Sequence, residues 1–488
     1  MSNTGLNPKY AWCDLARQGL PKRSAPERIS DFLEIYGLFD EATAREQANR
    51  CIQCPNPSCV DGCPLCNPIP QWMLLTAEGR FLEAAAVLGS VTTMAEICTR
   101  LCDSDRLCES NCILEGKAEP VAIGAIEQFL SDYALALGAV TAATAPPNGL
   151  RVAVIGSGPA GLACADELAR IGYGVTIFDS ALVPGGLLVN GVPAFKLEKS
   201  VVQRRIELLK KRGVTFRLGV KPCEDIGLAQ LRADFHAVFL GFDSRCSRLL
   251  DVPGVNLKGL VQPIPFILRA TTNLELDVAP PEVFGRRVLV LGAGDTAMDC
   301  VRTAIREGAR ETFCVYRGDE EDMRCNRHDY QDAKEEGAQF VFRSAPVAVL
   351  GDEAGRVTGI RLVHTAPGRK DSRGRHSFAP VPGTEFELEA DWIVPALGFD
   401  PVPCPHSGDF AQLEVNSWGG LIVDENQMTS IPGVFAGGDI VRGPSLVLHA
   451  VRDGRHAAAR IDAHFKARAS IPSIQNQKNS PGMGKYPA

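Results

Sequence analysis

Seventeen cysteines stand in 488 residues, and nine of them fall between positions 51 and 112. They form two runs: Cys51-x2-Cys54-x4-Cys59-x3-Cys63-Pro64, and Cys98-x3-Cys102-x5-Cys108-x3-Cys112, with Cys66 between them. Thiolates are soft ligands, and close spacing lets a loop wrap one face of an iron–sulfur cubane. In bacterial ferredoxin runs the fourth cysteine, the one before proline, serves the other cluster. The same logic sends Cys63 to a second cluster and returns Cys112 to the first. A pair of zinc sites is the competing reading. Zinc ribbons favour two CxxC knuckles, and only Cys51 and Cys54 make one. Cys66 and Cys98 are the weakest candidates, since either suits a plain buried thiol.

Two glycine-rich turns are the other chemistry-bearing motifs. Gly156-Ser-Gly158-Pro159-Ala160-Gly161 follows the apolar run RVAVI and opens AGLACADELARI. A strand before and a helix after make this a dinucleotide fingerprint: the backbone can approach a pyrophosphate at a helix N-terminus. The next strand, VTIF, ends at Asp179, where an acid can bind an adenosine ribose hydroxyl or merely close a turn. Gly185-Gly186 gives a second place for close backbone approach. Far downstream, VFAGGD with Gly438 and Asp439 suits a loop against the ribityl–phosphate part of a flavin. The second turn, Gly292-Ala-Gly294-Asp295-Thr296-Ala297, follows RVLVL, with alanine in the third fingerprint position. Its next strand, ETFCVY, runs into Arg317. An acid there would repel a 2′-phosphate and an arginine can pair with it, which favours NADPH over NADH. Gly318-Asp319-Glu320-Glu321 follows, so the surroundings are mixed in charge.

These motifs need elements to hold them. ERISDFLEIYGLF is expected to be helical, as is AIGAIEQFLSDYALAL, whose apolar residues recur at helical spacing. GAVTAATAPPNG reads as a linker. From Leu150 the character changes to βαβ units, and the echo of RVAVIGSGPAG in RVLVLGAGDTA predicts two nucleotide-binding domains. The expected fold class is therefore α/β: a helical iron–sulfur domain over 1–148 followed by two Rossmann-like domains. The first would span 149–275 and 401–467, the second 276–400. Residues 468–488, with the basic stretch starting just after Phe465, are expected to be a flexible tail.

Composition bounds the rest. Hydrophobic residues make up 45% and charged residues 22%, ordinary for a globular chain. A net charge of −7 and a pI near 5.7 argue against nucleic-acid binding. No apolar run approaches the ~18 residues of a membrane span. The start, MSNTGLNPKYAW, has no apolar leader, so a cytoplasmic location is expected, where disulfides are rare. No CxxC lies in either nucleotide domain, which argues against a dithiol relay. Cys300, inside the helix after the second turn, reads as core. No catalytic acid, base or nucleophile stands out.

The segments QANRCIQCPNPSCVDGCPLCNPIP, ICTRLCDSDRLCESNCIL, IGAIEQF, VIGSGPAGLACADEL, GGLLVNGVPAFKLEKSVVQRR, LGAGDTAMDCVRTAIREGA and GVFAGGDIVRGPSLVLHAVRDGR together resemble the small (beta) subunits of bacterial NADPH-dependent glutamate synthases. Similar modules occur in dihydropyrimidine dehydrogenase. The resemblance covers about residues 10–467. It implies two [4Fe–4S] clusters, FAD in the first Rossmann domain and NADPH in the second. It places Cys51, Cys54, Cys59 and Cys112 on cluster one and Cys63, Cys102 and Cys108 on cluster two. A helix side-chain oxygen, matched by Glu127, completes the second set; simple counting nominates Cys98 instead. The sequence departs from the family pattern after the second nucleotide strand. Tyr316-Arg317-Gly318 stands for YRR, and Met323-Arg324-Cys325-Asn326 for an MPGS-like stretch, so one expected phosphate-binding arginine is missing.

The resemblance implies an electron-input subunit that oxidises NADPH and feeds a large (alpha) subunit making L-glutamate from glutamine and 2-oxoglutarate. No segment is left for an FMN-binding barrel, so glutamate formation is expected to need that partner. Two alternatives stand beside it: an NAD(P)H:acceptor oxidoreductase with a ferredoxin-type partner, and a non-catalytic subunit holding cofactors for structure. Dye reduction by NADPH separates the last from the other two.

Overall fold

The computed structural model describes residues 10–242, 245–276, 282–370, 376–401 and 408–469. The N-terminal third is helical. Asp40 starts the helix Glu41–Ala48 by accepting from the Thr43 amide at 2.7 Å, satisfying an orphan N–H of the first turn. Ile69–Ala77, Phe81–Val91, Ala95–Leu101 and Ile123–Ala136 follow. Ile123, Ile126, Phe129 and Leu130 form the buried stripe of the last helix, against Trp72, Met73 and Phe81. The Phe81 ring meets Phe129 edge-on at 5.1 Å and Tyr133 at 5.3 Å.

The segment ERISDFLEIYGLF is not one helix. Only Ala25–Arg28 is helical, and Tyr36 pairs with Lys22 in an isolated bridge. Asp31 accepts from the Leu33 amide, a local turn that competes with helix. The rest is held extended by distant partners: Glu34 accepts from Arg100 and from the Glu198 amide, and the Tyr36 hydroxyl donates to Asp332. Tertiary contacts override the periodicity here.

Two parallel sheets follow. In the first, the strand order is Val434–Ala436, Ala237–Leu240, Arg151–Ile155, Gly174–Asp179, Thr215–Leu218. In the second it is Trp392–Pro395, Arg287–Leu291, Glu311–Val315, Gln339–Val341. The central strands RVAVI and RVLVL are buried on both faces, as parallel sheets with helices above and below require. Because Val434–Ala436 rejoins the first sheet, the second sheet is inserted into the first unit. An antiparallel three-stranded sheet, Ser344–Gly351, Val357–Lys370 and His376–Glu389, projects from the inserted unit.

The C-terminal helix Val447–Ala469 lies along Pro159–Arg170. It runs beyond Phe465, where an extended tail was expected, because Lys466 pairs with Asp462 one turn back at 2.7 Å and Phe465 stacks near Tyr173. The remainder of that expected tail lies outside the described residues. At Gly454 the two helices approach so closely that any side chain would overlap the Ala160 carbonyl.

The units share cores. Leu65, Met94 and Ile97 of the helical domain pack in one cluster with Val152, Val154 and Leu448. Arg205, buried beside them, donates to both Glu96 oxygens at 2.6 and 2.8 Å. Among the described residues no single helix is long and apolar enough to cross a membrane.

Candidate functional site

The nine clustered cysteines fall into distinct environments. Cys51, Cys54, Cys59 and Cys112 rim one void, closed by Pro57, Ile69 and Met73. Cys63, Cys102, Cys108, Cys98 and Glu127 rim a second, closed by Pro64, Leu107 and Leu448. Cys66 is exposed with φ +52 and faces neither. Burial and mutual repulsion push the Cys51 thiol up to about 11 and Cys59 up to about 12. Such grouped thiols are reconciled with one another by a cation that holds them deprotonated. Tetrahedral zinc would need sulfurs about 3.8 Å apart, and no three such side chains among the described residues close on a single ion. Thiols set around a void fit a polynuclear cluster better than zinc.

The side chain of Glu127, on the helix Ile123–Ala136, lines the second void. Asn67 donates to it at 2.9 Å, and the buried Trp72 indole N–H donates in turn to Asn67 at 2.9 Å. Burial pushes its carboxyl up to about 7, against the Asn67 hydrogen bond. Cys98, buried, stands at the same void. Nothing in the local sequence marked Asn67: its role appears only when the loop after Cys66 folds back on the helix.

A cleft of about 1330 Å³ opens between the three units. One wall carries Gly156, Gly158, Pro159, Ala160, Asp179, Gly186 and Asp439. Gly156 is left-handed (φ +98) and lies so close to the 241–242 backbone that a Cβ would stand 2.7 Å from Phe242 Cα. At Gly161 a side chain would overlap the Gly156 carbonyl, whereas at Gly158 a Cβ meets nothing within 4 Å. These are the three glycine roles of a dinucleotide turn: tight turn, open approach and close helix packing. Asp179 accepts from the Ser157 amide at 2.6 Å and the Ala181 amide at 2.8 Å. The Ser157 hydroxyl accepts from the Gly185 amide at 2.9 Å, so the acid also fixes the second glycine pair. Gly438, with φ +81, donates to Asp453 at 3.0 Å.

The second turn repeats the arrangement. Gly292 has φ +127 and presses on the Ala396 carbonyl, Gly294 is open, and Ala297 is fully buried at the helix start. Asp295 and Thr296 face the cleft. Arg317 is exposed at the strand end, its guanidinium 6.0 Å from the Phe378 ring of the projecting sheet. Cys300 is buried in the core, as its position suggested.

The third wall includes Cys102, which also lines the second void; Ile69 borders both voids. Cleft, second void and first void are thus successive neighbours. The turn between Cys102 and Cys108 is fastened to the inserted unit. Arg106 donates to the carbonyls of Arg324 and Cys325 at 2.9 and 2.8 Å, and His328 pairs with Asp105 at 2.6 Å. Lys196 spans the cleft floor, 3.1 Å from Asp299 and 2.7 Å from Asp329. Neither tie was visible in the sequence, because each joins segments more than a hundred residues apart.

The fold and donor set define an oxidoreductase with two dinucleotide turns and an attached iron–sulfur domain. Comparison with known proteins agrees. A family model described as dihydropyrimidine dehydrogenase domain II, 4Fe–4S cluster, matches residues 28–139, and one described as pyridine nucleotide-disulphide oxidoreductase matches 150–454. The glutamate synthase [NADPH] small chain of Azospirillum brasilense is 44% identical over 465 residues, covering 92% of this chain and 95% of that one. The putative oxidoreductase AegA of Escherichia coli is 41% identical, covering 91% of this chain and 70% of its own. In structure, Mycobacterium tuberculosis FprA in complex with NADPH superposes with a TM-score of 0.55 at 18% identity, over 67% of this chain and 86% of that one, a likeness of fold. The chain belongs to the glutamate synthase small-chain family.

Proposed function

We propose that this chain is the electron-input subunit of a glutamate synthase. It would oxidise NADPH through FAD and pass the electrons by way of two [4Fe–4S] clusters to a large chain that forms L-glutamate from glutamine and 2-oxoglutarate. The observation that carries this is the succession of cleft, Cys102, second void, Ile69 and first void; the 44% identity to a glutamate synthase small chain supports the acceptor.

Gly156, Gly158, Pro159, Ala160, Gly161, Asp179, Gly185, Gly186, Gly438 and Asp439 would hold FAD. Gly292, Gly294, Asp295, Thr296, Ala297 and Arg317 would hold NADPH. Cys51, Cys54, Cys59 and Cys112 would bind one cluster, and Cys63, Cys102, Cys108 and Glu127 the other. When bound, these groups supply the hydride and one-electron chemistry; the protein supplies placement. Gly156 and Gly158 of the first turn and Asp295 and Thr296 of the second line one cleft, so dinucleotides held by the two turns would share it. Lys196, between Asp299 and Asp329, fixes the inserted unit against the first. Met73 gives the first void an apolar wall, and Leu107 and Leu448 give one to the second.

Purified anaerobically, the chain should reduce ferricyanide with NADPH and form no glutamate from glutamine and 2-oxoglutarate until a large chain is added. Absence of NADPH-dependent dye reduction overturns the reading. The AegA likeness favours one alternative, a different acceptor, which would appear as dye reduction without synthesis when the large chain is present.

A further inference from the structure

The second nucleotide turn carries two arginines whose side chains are unspent. Arg317 ends the strand leading from it. Arg324 lies on the returning loop, and its amide donates to the Ala293 carbonyl at 3.1 Å, which pins the residue onto the turn itself. Both are exposed. Neither forms an ion pair with another described residue, although the cations around them are engaged. Arg343 is bidentate on Asp319 at 2.7 and 2.6 Å, and Arg106 is spent on the 324–325 carbonyls.

The acids of the same loop are largely engaged. Asp319 is held by Arg343, Asp322 by His376 at 3.0 Å, and Glu320 by the Tyr330 hydroxyl. Glu321 is the exception among them. The Tyr316 hydroxyl donates to the Asp322 carbonyl at 3.0 Å, which folds the loop back so that Arg324 returns toward the strand end that carries Arg317. Position 318 offers no further cation. A Cβ on Gly318 would stand 2.8 Å from the Tyr316 ring and 2.9 Å from both Asp322 Cβ and the Phe378 ring, so the space beside Arg317 is closed to a side chain.

We propose that Arg324 is a specificity-determining residue: with Arg317 it grips the 2′-phosphate of the coenzyme's adenosine, supplying the second cation that Gly318 cannot. A phosphate monoester carries nearly two charges and several acceptor oxygens, and two guanidinium forks satisfy it better than one. The inference rests on the NADPH reading of the second turn. The Arg324 backbone already makes the loop's structural contacts, so truncating the side chain leaves the fold in place.

The test is calorimetric titration of the FAD-loaded full chain with adenosine 2′,5′-bisphosphate and with 5′-AMP, which report the adenosine half without turnover. The wild type should bind the bisphosphate at least tenfold more tightly. Arg324→Ala should lower bisphosphate affinity about tenfold and leave 5′-AMP unchanged, and Arg324→Lys should recover part of the loss. If Arg324→Ala leaves bisphosphate affinity unchanged, or weakens both ligands equally, the assignment of Arg324 is overturned while the NADPH reading stands. If the wild type itself binds the two ligands equally, the NADPH reading fails, and the proposal with it.

Discussion

Replacing Gly158 by alanine separates the nucleotide site from the fold that carries it. Gly158 has φ −69 and ψ −178, a conformation any residue adopts, and a Cβ there meets no protein atom within 4 Å. The substitution therefore costs the folded chain nothing, and by restricting the unfolded chain it stabilises by about 0.4–1 kcal/mol. The new methyl projects into the open face over the helix N-terminus, where a pyrophosphate would accept backbone hydrogen bonds. Losing one hydrogen bond to a charged group costs about 1.5–3 kcal/mol, or roughly 10- to 150-fold in FAD affinity. Gly161→Ala is the control with the opposite signature. Its Cβ overlaps the Gly156 carbonyl, so overpacking of about 1–3 kcal/mol falls on the fold itself. Fluorescence titration of deflavinated protein with FAD, beside thermal melting of the same preparations, reads both quantities. Undiminished FAD affinity in Gly158→Ala, or a clearly lower melting temperature for its FAD-free form, refutes the reasoning.

Three further outcomes follow from the same geometry. Wild-type protein purified anaerobically should carry about eight irons; Glu127→Gln should lose the second cluster's share while Cys98→Ser keeps it, and the reverse would make Cys98 the ligand. Arg317→Asp should cut kcat/KM for NADPH roughly tenfold or more relative to NADH; an unmoved ratio makes Arg317 a surface residue. Burial pushes the Glu336 carboxyl up, but Arg306 and Arg302 outweigh it and hold it at about 2. A depressed carboxyl contributes stability above its unfolded value near 4.5 that is lost as pH falls toward 2, here about 3 kcal/mol. Glu336→Gln should be less stable at pH 7 by about that amount and show a flatter acid limb in urea melts; parallel curves contradict it.

What the sequence made legible was local. The strand–turn–helix at 151–170 and its echo at 287–306 are written in contiguous residues, so both Rossmann units are readable along the chain itself. The grouping of the thiols is only partly local: Cys51, Cys54 and Cys59 are neighbours in sequence, but Cys112 joins them and Cys63 joins Cys102 and Cys108 from a distant run, so that part rests on the ferredoxin-like crossing pattern and the family resemblance. Other features depend on which surfaces meet. Lys196 reads as an ordinary lysine until Asp299 and Asp329 close on it, and Arg324 as a solvated arginine until its amide lands on Ala293. The helical reading of residues 27–39 failed because Glu34 and Tyr36 are held by Arg100 and Asp332, partners no periodicity reveals.

The central claim, that electrons leave the cleft through the thiol-lined voids, is tested most directly with Cys108→Ser. The variant is first shown to be folded and FAD-loaded, since clusters can hold small domains together. Stopped-flow bleaching of its flavin by NADPH is then measured beside glutamate formation with the large chain. The account predicts near-normal bleaching, which uses only the two Rossmann units, and abolished synthesis. Full synthesis by a folded, FAD-loaded variant lacking the second cluster's iron would contradict it.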